Sequence, residues 1–174
     1  MLTNPVAAST AESFFVVSTH DDVAEVRRNT ETGHNSLVAL KSFSPGDLFY
    51  SFSPGAILHN PTYLTVQTGT DVHIMLNPEF LQYINHSCRP NVFFDTTAMQ
   101  VTVLRPLEAG EEVTFFYPST EWDMSQSFNC YCGESCCIGD IKGAAWLSEE
   151  TVKQYRFTDY IRQQFQKRLQ EARA

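Results

Sequence analysis

The sequence has no apolar run long enough to cross a bilayer. Its longest apolar stretches, such as residues 14–17, are far shorter than the roughly 20 residues of a membrane helix. The N-terminus has no basic segment followed by an apolar stretch, so we expect neither secretion nor membrane contact. Basic residues are scarce too, since 12 Lys and Arg stand against 20 Asp and Glu, a net charge of −8. This balance argues against direct nucleic-acid binding and favours a cationic partner.

Cysteine is sparse, and its distribution argues against a disulfide framework. Of the five cysteines, Cys88 stands alone and the other four lie within residues 130–137. An odd number crowded into one short segment, with no secretion signal, is typical of a reducing compartment and of metal binding. We therefore expect the protein in the nucleus or the cytoplasm.

The crowded cysteines have a spacing that suits structural zinc. Cys130, Cys132 and Cys137 supply three thiolate ligands on a tight loop, and Gly133 permits the backbone to reverse after the second. The fourth ligand is either the adjacent Cys136 or the distant Cys88. Adjacent cysteines rarely both reach one ion, which favours Cys88 and one structural zinc ion.

Short β-strands dominate the rest of the pattern. Residues 36–40 and 48–52 flank a Pro-Gly turn and predict a β-hairpin, and residues 99–104 and 113–117 read as further strands. We expect a loose leader over residues 1–12 and one helix from Ser148 onward, with apolar residues at helical spacing. These elements predict a mainly β (α+β) fold of several small sheets with a C-terminal helical tail.

Three ordered motifs carry a family resemblance. Residues 85–91 (Asn-His-Ser-Cys-Arg-Pro-Asn), residues 110–117 (Gly-Glu-Glu-Val-Thr-Phe-Phe-Tyr) and Cys130-Tyr-Cys-Gly with Cys137 resemble the signatures of SET-domain protein-lysine methyltransferases with a post-SET zinc motif. The resemblance implies a β-clip with a pseudoknot. It divides the chain into a SET domain over 13–128, a post-SET zinc-binding segment over 129–147 and a helical extension over 148–174.

The resemblance also implies roles for individual residues. It makes Tyr117 the catalytic residue and Cys88 the fourth zinc ligand beside Cys130, Cys132 and Cys137. The substrate channel would be walled by Phe115, Phe116 and Trp122, and a Phe at position 115 leaves room for di- or trimethylation. The residues expected to contact the methyl donor, S-adenosylmethionine, are His34, Asn35, Tyr83, Asn85, His86 and Tyr131.

The sequence departs from the family pattern at three places. Gly33-His34-Asn35 replaces a Gly-x-Gly that approaches the donor, Gln82 replaces an arginine, and Phe116 replaces an aspartate. Because this loop is altered, the sequence leaves open whether the chain still binds S-adenosylmethionine. Asn can adopt positive φ more readily than most residues, so we expect the turn to survive.

Three functions therefore compete. The leading hypothesis is methyl transfer to a lysine amine of a histone tail or another basic protein, by a monomer or a weak homodimer. The second is a SET-fold module that binds a peptide along an exposed strand edge without turnover. The third is a SET-like enzyme that acts on a small-molecule amine, since a fold does not fix its substrate.

Overall fold

The computed structural model describes residues 13–173, so the predicted leader at 1–12 lies outside the described residues. No helix in this part of the chain is long and apolar enough to span a membrane. The strands are β1 Phe14–His20, β2 Ala24–Asn29, β3 Asn35–Ala39, β4 Leu48–Ser51, β5 Ser53–Leu58, β6 Thr65–Gly69, β7 Val72–Asn77, β8 Asn85–His86, β9 Val92–Asp95, β10 Gln100–Val103, β11 Thr114–Phe115, β12 Phe128–Asn129 and β13 Asp140–Ile141. The helices are α1 Glu149–Val152 and α2 Asp159–Glu171, with 3-10 turns at Glu79–Tyr83, Tyr117–Ser119 and Ala144–Trp146.

Three three-stranded sheets enclose the main core. Their strand orders are β1-β2-β3, β4-β10-β9 and β5-β7-β6, and every neighbouring pair is antiparallel. Side chains alternate between the two faces of each strand, and this alternation explains which residues are buried. On β10, for example, Val101 and Val103 are buried while Gln100 and Thr102 are half-buried. The predicted mainly β fold with several small sheets is confirmed.

The predicted hairpin across residues 36–52 is wrong. β3 pairs with β2, whereas β4 pairs with β10, so the two strands belong to different sheets. The Pro-Gly turn does form, because the Asp47 carboxylate accepts the Ser44 N–H at 2.7 Å. However, Gly46 donates its N–H to the Val103 carbonyl, which directs the chain to the second sheet instead of back onto β3.

The C-terminal tail contains two helices where one was predicted. Ser148 caps α1 as expected, by accepting the Thr151 N–H, but this helix ends at Val152. A second cap follows, because Thr158 accepts the Ile161 N–H at the start of α2. Tyr155 and Phe157 therefore lie in the non-helical segment between α1 and α2. Phe157 packs in a second buried cluster with Phe116, Ala144 and Ile161.

Candidate functional site

Two short strands from distant parts of the sequence form the centre of the site. β8 and β11 pair in parallel, with Asn85 opposite Thr114 and His86 opposite Phe115. The pairing continues beyond the strands, since Ser87 donates its N–H to the Phe115 carbonyl at 3.1 Å. The chain around residues 85–88 is thereby held against the segment that leads into Tyr117.

Asn91 stabilises the place where these two segments cross, which we call the crossing. It is fully buried, and its side-chain oxygen accepts the Thr114 N–H at 2.7 Å while its side-chain nitrogen donates to the Glu112 carbonyl at 2.8 Å. Its own N–H donates to the Thr114 carbonyl at 3.1 Å. One side chain therefore satisfies two backbone groups that sheet pairing leaves open, and it sets the position of the strand that precedes Tyr117.

His86 connects Tyr117 to the cysteine cluster. Its Nδ1 accepts the Tyr117 N–H at 3.2 Å, so in the neutral ring the proton sits on Nε2, which lies 3.4 Å from the Cys88 sulfur. Burial lowers the pKa of His86 to about 4, which keeps the ring neutral near pH 7. His86 thus orients the tyrosine backbone and the first cysteine together.

Tyr117 borders an elongated cavity of about 180 Å³. Its ring lies 4.7 Å from Phe115 and 5.9 Å from Phe128, and its hydroxyl is 3.5 Å from the Ile84 carbonyl oxygen. Burial, with a smaller contribution from the Glu112 charge, raises the pKa of Tyr117 to about 12. The hydroxyl therefore stays protonated at physiological pH and is available as a hydrogen-bond donor beside the rings of Phe115 and Phe128.

The structure places two predicted channel residues away from this cavity. Phe116 points to the opposite side of its strand, where it stacks on Tyr155 at a ring separation of 3.7 Å and an interplanar angle of 6°. Trp122 packs against Phe165 at 5.3 Å in the tail. Side chains alternate along an extended segment, so adjacent Phe115 and Phe116 cannot line the same wall. Of the three predicted channel residues, Phe115 alone borders the cavity.

Four cysteines converge beside this crossing. The sulfur atoms of Cys88, Cys130, Cys132 and Cys137 all lie within 4.8 Å of one another. The Sγ atoms of Cys88 and Cys130 are 3.9 Å apart, close to the roughly 3.8 Å that a tetrahedral site with Zn–S bonds of about 2.3 Å requires. Cys136 is exposed and directs its thiol to the Cys88 carbonyl at 3.3 Å. The donor set therefore fits one structural zinc ion, with Cys88 as the distant partner.

The loop between β12 and β13 holds Cys130, Cys132 and Cys137 in place. Cys130 donates its N–H to the Gly139 carbonyl at 2.7 Å, and Cys137 donates to the Glu134 carbonyl at 3.0 Å. Gly133 adopts φ +73°, a conformation in which a side chain would be strained. Burial raises the pKa of the Cys130 thiol to about 11, so a cation is needed to stabilise its thiolate.

The residues predicted to hold the methyl donor do not all lie together. Asn85 donates its side-chain N–H to the Asn35 carbonyl at 3.0 Å and to the Glu112 carboxylate at 2.8 Å, which joins β8 to the start of β3. The turn before β3 is made by Gly33 at φ +73°, and Asn35 itself is an ordinary strand residue. Tyr83 packs against the main core, and the Tyr131 ring is 90% exposed.

One buried polar atom without a hydrogen-bond partner supports a polar ligand where β8 meets the start of β3. The side-chain oxygen of Asn35 is buried and has no hydrogen-bond partner within residues 13–173. A buried acceptor without a partner is costly, and a ligand that brings N–H or O–H groups would remove that cost. The amino and hydroxyl groups of S-adenosylmethionine are donors of this kind. The unpaired oxygen of Asn35, next to Asn85, therefore fits a ligand of this kind.

Three structurally important residues were not assigned roles from the sequence. Asn91 lies inside a recognised motif, and its spacing from Asn85 was the available signal. Tyr155 donates its hydroxyl to the Cys88 carbonyl at 2.8 Å, which ties the tail to the cysteine cluster. Glu121 is buried at the wall of the Tyr117 cavity. No sequence spacing marked these last two residues, because their partners are 67 and 54 positions away.

Comparisons with known proteins agree with this geometry. The family model described as SET domain matches residues 19–118. Methyltransferase flvH from Aspergillus flavus is 42% identical over 129 residues, which cover 73% of this chain and 70% of that protein. The H3 lysine-36 specific histone-lysine N-methyltransferase from Schizosaccharomyces pombe is 30% identical over 107 residues. That match covers 58% of this chain but only 13% of that protein.

Proposed function

The chain belongs to the SET-domain family of methyltransferases, and from this premise we propose that it transfers a methyl group from S-adenosylmethionine to a lysine amine of a histone or another basic protein. The observation that carries the proposal is the placement of Tyr117. Its protonated hydroxyl borders an aromatic-walled cavity, while its backbone N–H is held by His86, the residue next to the proposed donor contact Asn85.

S-adenosylmethionine, when bound, supplies an electrophilic methyl group on a positively charged sulfur. In the transfer the carbon–sulfur bond breaks and a carbon–nitrogen bond forms, so the amine must be neutral and aligned with the methyl group. Phe115 and Phe128 exclude water and confine the amine. The Tyr117 hydroxyl and the Ile84 carbonyl present dipoles at the same end of the cavity, and such fixed dipoles lower the barrier without reorganising.

Charge and relatives support a basic protein substrate. The net charge of −8 favours encounter with a cationic chain. Relatives from Schizosaccharomyces pombe and Candida albicans are named as H3 lysine-36 specific histone methyltransferases. These names favour action in the nucleus. Phe115 beside Tyr117 adds no hydroxyl of its own to the cavity lining, which supports a di- or trimethylated product.

The test is a labelled-methyl assay with the zinc-loaded full chain. The amine panel contains histone H3 peptides, the same peptides with each lysine changed to arginine, free lysine and simple aliphatic amines. We expect labelling of a lysine peptide and a loss of about 100-fold or more in the Tyr117→Phe variant. Tyr50→Phe is the matched control, since the Tyr50 hydroxyl donates to Asp21 away from the cavity.

Each outcome of this assay separates the competing functions. Labelling of small amines without any labelling of peptides would replace the protein substrate by a metabolite. Peptide binding without labelling, in a protein that binds the donor, would support the non-enzymatic binding module. Equal activity in Tyr117→Phe and wild type would refute the assigned role of Tyr117.

A further inference from the structure

Glu121 is an acidic side chain in an unusual place. It follows Tyr117 by one turn, and its N–H donates to the Tyr117 carbonyl at 3.2 Å. Only 8% of the residue is exposed, yet it borders the cavity that also contains Tyr117 and Phe115. Among the described residues that line this cavity, Glu121 is the sole Asp or Glu. A buried carboxyl at this place requires an explanation, since burying an unpaired charge is costly.

Among residues 13–173 no lysine or arginine forms an ion pair with Glu121. One carboxyl oxygen accepts the Gln67 N–H at 2.9 Å. The other lies 4.0 Å from Nδ1 of His73, a distance too long for a hydrogen bond. Burial lowers the pKa of His73, although nearby Asp71 opposes this effect, so the imidazole is neutral near pH 7. Burial also raises the pKa of Glu121 to about 8.

A second polar group that borders the cavity is incompletely satisfied. Gln82 borders the cavity, and its side-chain oxygen is buried without a hydrogen-bond partner among residues 13–173. Its side-chain nitrogen donates to Glu79 at 3.1 Å, which fixes the amide so that the oxygen remains the free end. The cavity lining therefore includes buried side-chain oxygen acceptors on Glu121 and Gln82, together with apolar residues such as Phe115.

We propose that Glu121 binds the positive charge of the substrate ammonium as it enters the cavity, which makes Glu121 a specificity-determining residue. This inference rests on the proposed function and names the feature of the site that selects a cationic amine. An alkylammonium has three N–H donors and an apolar stem, so it matches the acceptors and the aromatic wall together. The carboxyl gives up its proton to solvent as the cation binds, so the cavity then contains a neutral ion pair. The ammonium loses its own proton to solvent before methyl transfer, since only the neutral amine can attack the methyl group.

The proposal predicts a distinctive pH dependence. The titratable groups near the carboxyl are His73 on β7, Tyr117 one turn earlier and Tyr160 on α2, whose hydroxyl shares the Gln67 side chain. Near pH 7 Tyr117 is protonated and His73 is neutral, so ionisation of Glu121 controls binding. Below about pH 8, affinity for an ammonium rises about tenfold per pH unit, because the ionised fraction rises by that factor.

The experiment is an NMR titration of the isotope-labelled, zinc-loaded full chain with n-butylammonium and with 1-butanol as the neutral probe of similar size. Glu121→Gln is the test variant, since its amide oxygen can still accept the Gln67 N–H and preserve the fold. Glu150→Gln, an exposed position on α1, is the matched control for loss of one charge. Because no methyl donor is needed, the measurement does not depend on turnover.

We expect wild type and Glu150→Gln to prefer n-butylammonium over 1-butanol at pH 8, and Glu121→Gln to lose that preference by about tenfold and to lose the pH dependence. Equal preference in wild type and Glu121→Gln would overturn the proposal. Methylation of lysine peptides by a wild-type protein with no ammonium preference would refute the role of Glu121 alone. Ammonium preference without methylation of any amine would support Glu121 and contradict the proposed activity.

Discussion

Replacing Asn91 by alanine tests whether one side chain fastens the crossing at the centre of the site. The substitution removes the acceptor for the Thr114 N–H and the donor to the Glu112 carbonyl, at 2.7 and 2.8 Å. Asn91 is fully buried while Thr114 is half-buried and Glu112 is exposed, and each of these backbone groups that stays shielded from water without a partner costs about 1–3 kcal/mol. We therefore expect the free energy of unfolding to fall by about 2–6 kcal/mol.

The assay is urea denaturation of zinc-saturated protein, followed by far-UV circular dichroism and by tryptophan fluorescence. For a domain of this size each kcal/mol lowers Tm by about 2–4 °C, which gives an independent check by calorimetry. The control is Asn60→Ala, because Asn60 is exposed. Its effect should stay within about 0.5 kcal/mol.

A loss of less than about 0.5 kcal/mol in Asn91→Ala would refute the reasoning. It would mean that the strand before Tyr117 is held by the backbone pairing of β8 and β11 without the side chain. Asn91→Asp refines the result. Its carboxylate still accepts the Thr114 N–H but meets the Glu112 carbonyl with a second acceptor, so this variant should also be destabilised.

Three further predictions concern other parts of the structure. Cys88→Ser should lower the zinc content, measured by native mass spectrometry, from one ion to none or to a weakly held one. Cys136→Ser should retain the ion. Equal zinc loss in both variants would contradict the ligand set. Tyr155→Phe removes one hydrogen bond to the Cys88 carbonyl and keeps the stack on Phe116. The free energy of unfolding should therefore fall by about 0.5–1.5 kcal/mol. An unchanged urea midpoint would contradict this prediction. Because the folded state raises the pKa of Glu121 to about 8, it binds more protons than the unfolded state between about pH 4.5 and 8, and this group's contribution to stability falls as pH rises through that window. Glu121→Gln should therefore gain stability relative to wild type from pH 5 to pH 8 in urea titrations, by at most about 1.4 kcal/mol per pH unit, and a constant difference would argue against a neutral buried carboxyl.

The amino-acid sequence by itself determined the family and the residue types at the candidate site. The order of the motifs at Asn85, Tyr117 and Cys130 was enough, because each motif is local and its residue types are tied to one kind of chemistry. The four cysteines predicted as ligands are also the four that the structure brings together.

Only the tertiary structure decided which residues share a surface. The Pro-Gly turn at residues 44–47 predicted a hairpin. Instead, the Gly46 N–H donates to the Val103 carbonyl on β10, a pairing that local sequence does not encode. Adjacent Phe115 and Phe116 face opposite sides, so one borders the cavity and the other packs on the tail. Glu121 acquires its properties from burial beside Gln67, 54 positions earlier. Local patterns specify turns and residue chemistry, whereas burial and charge environment depend on contacts between distant segments.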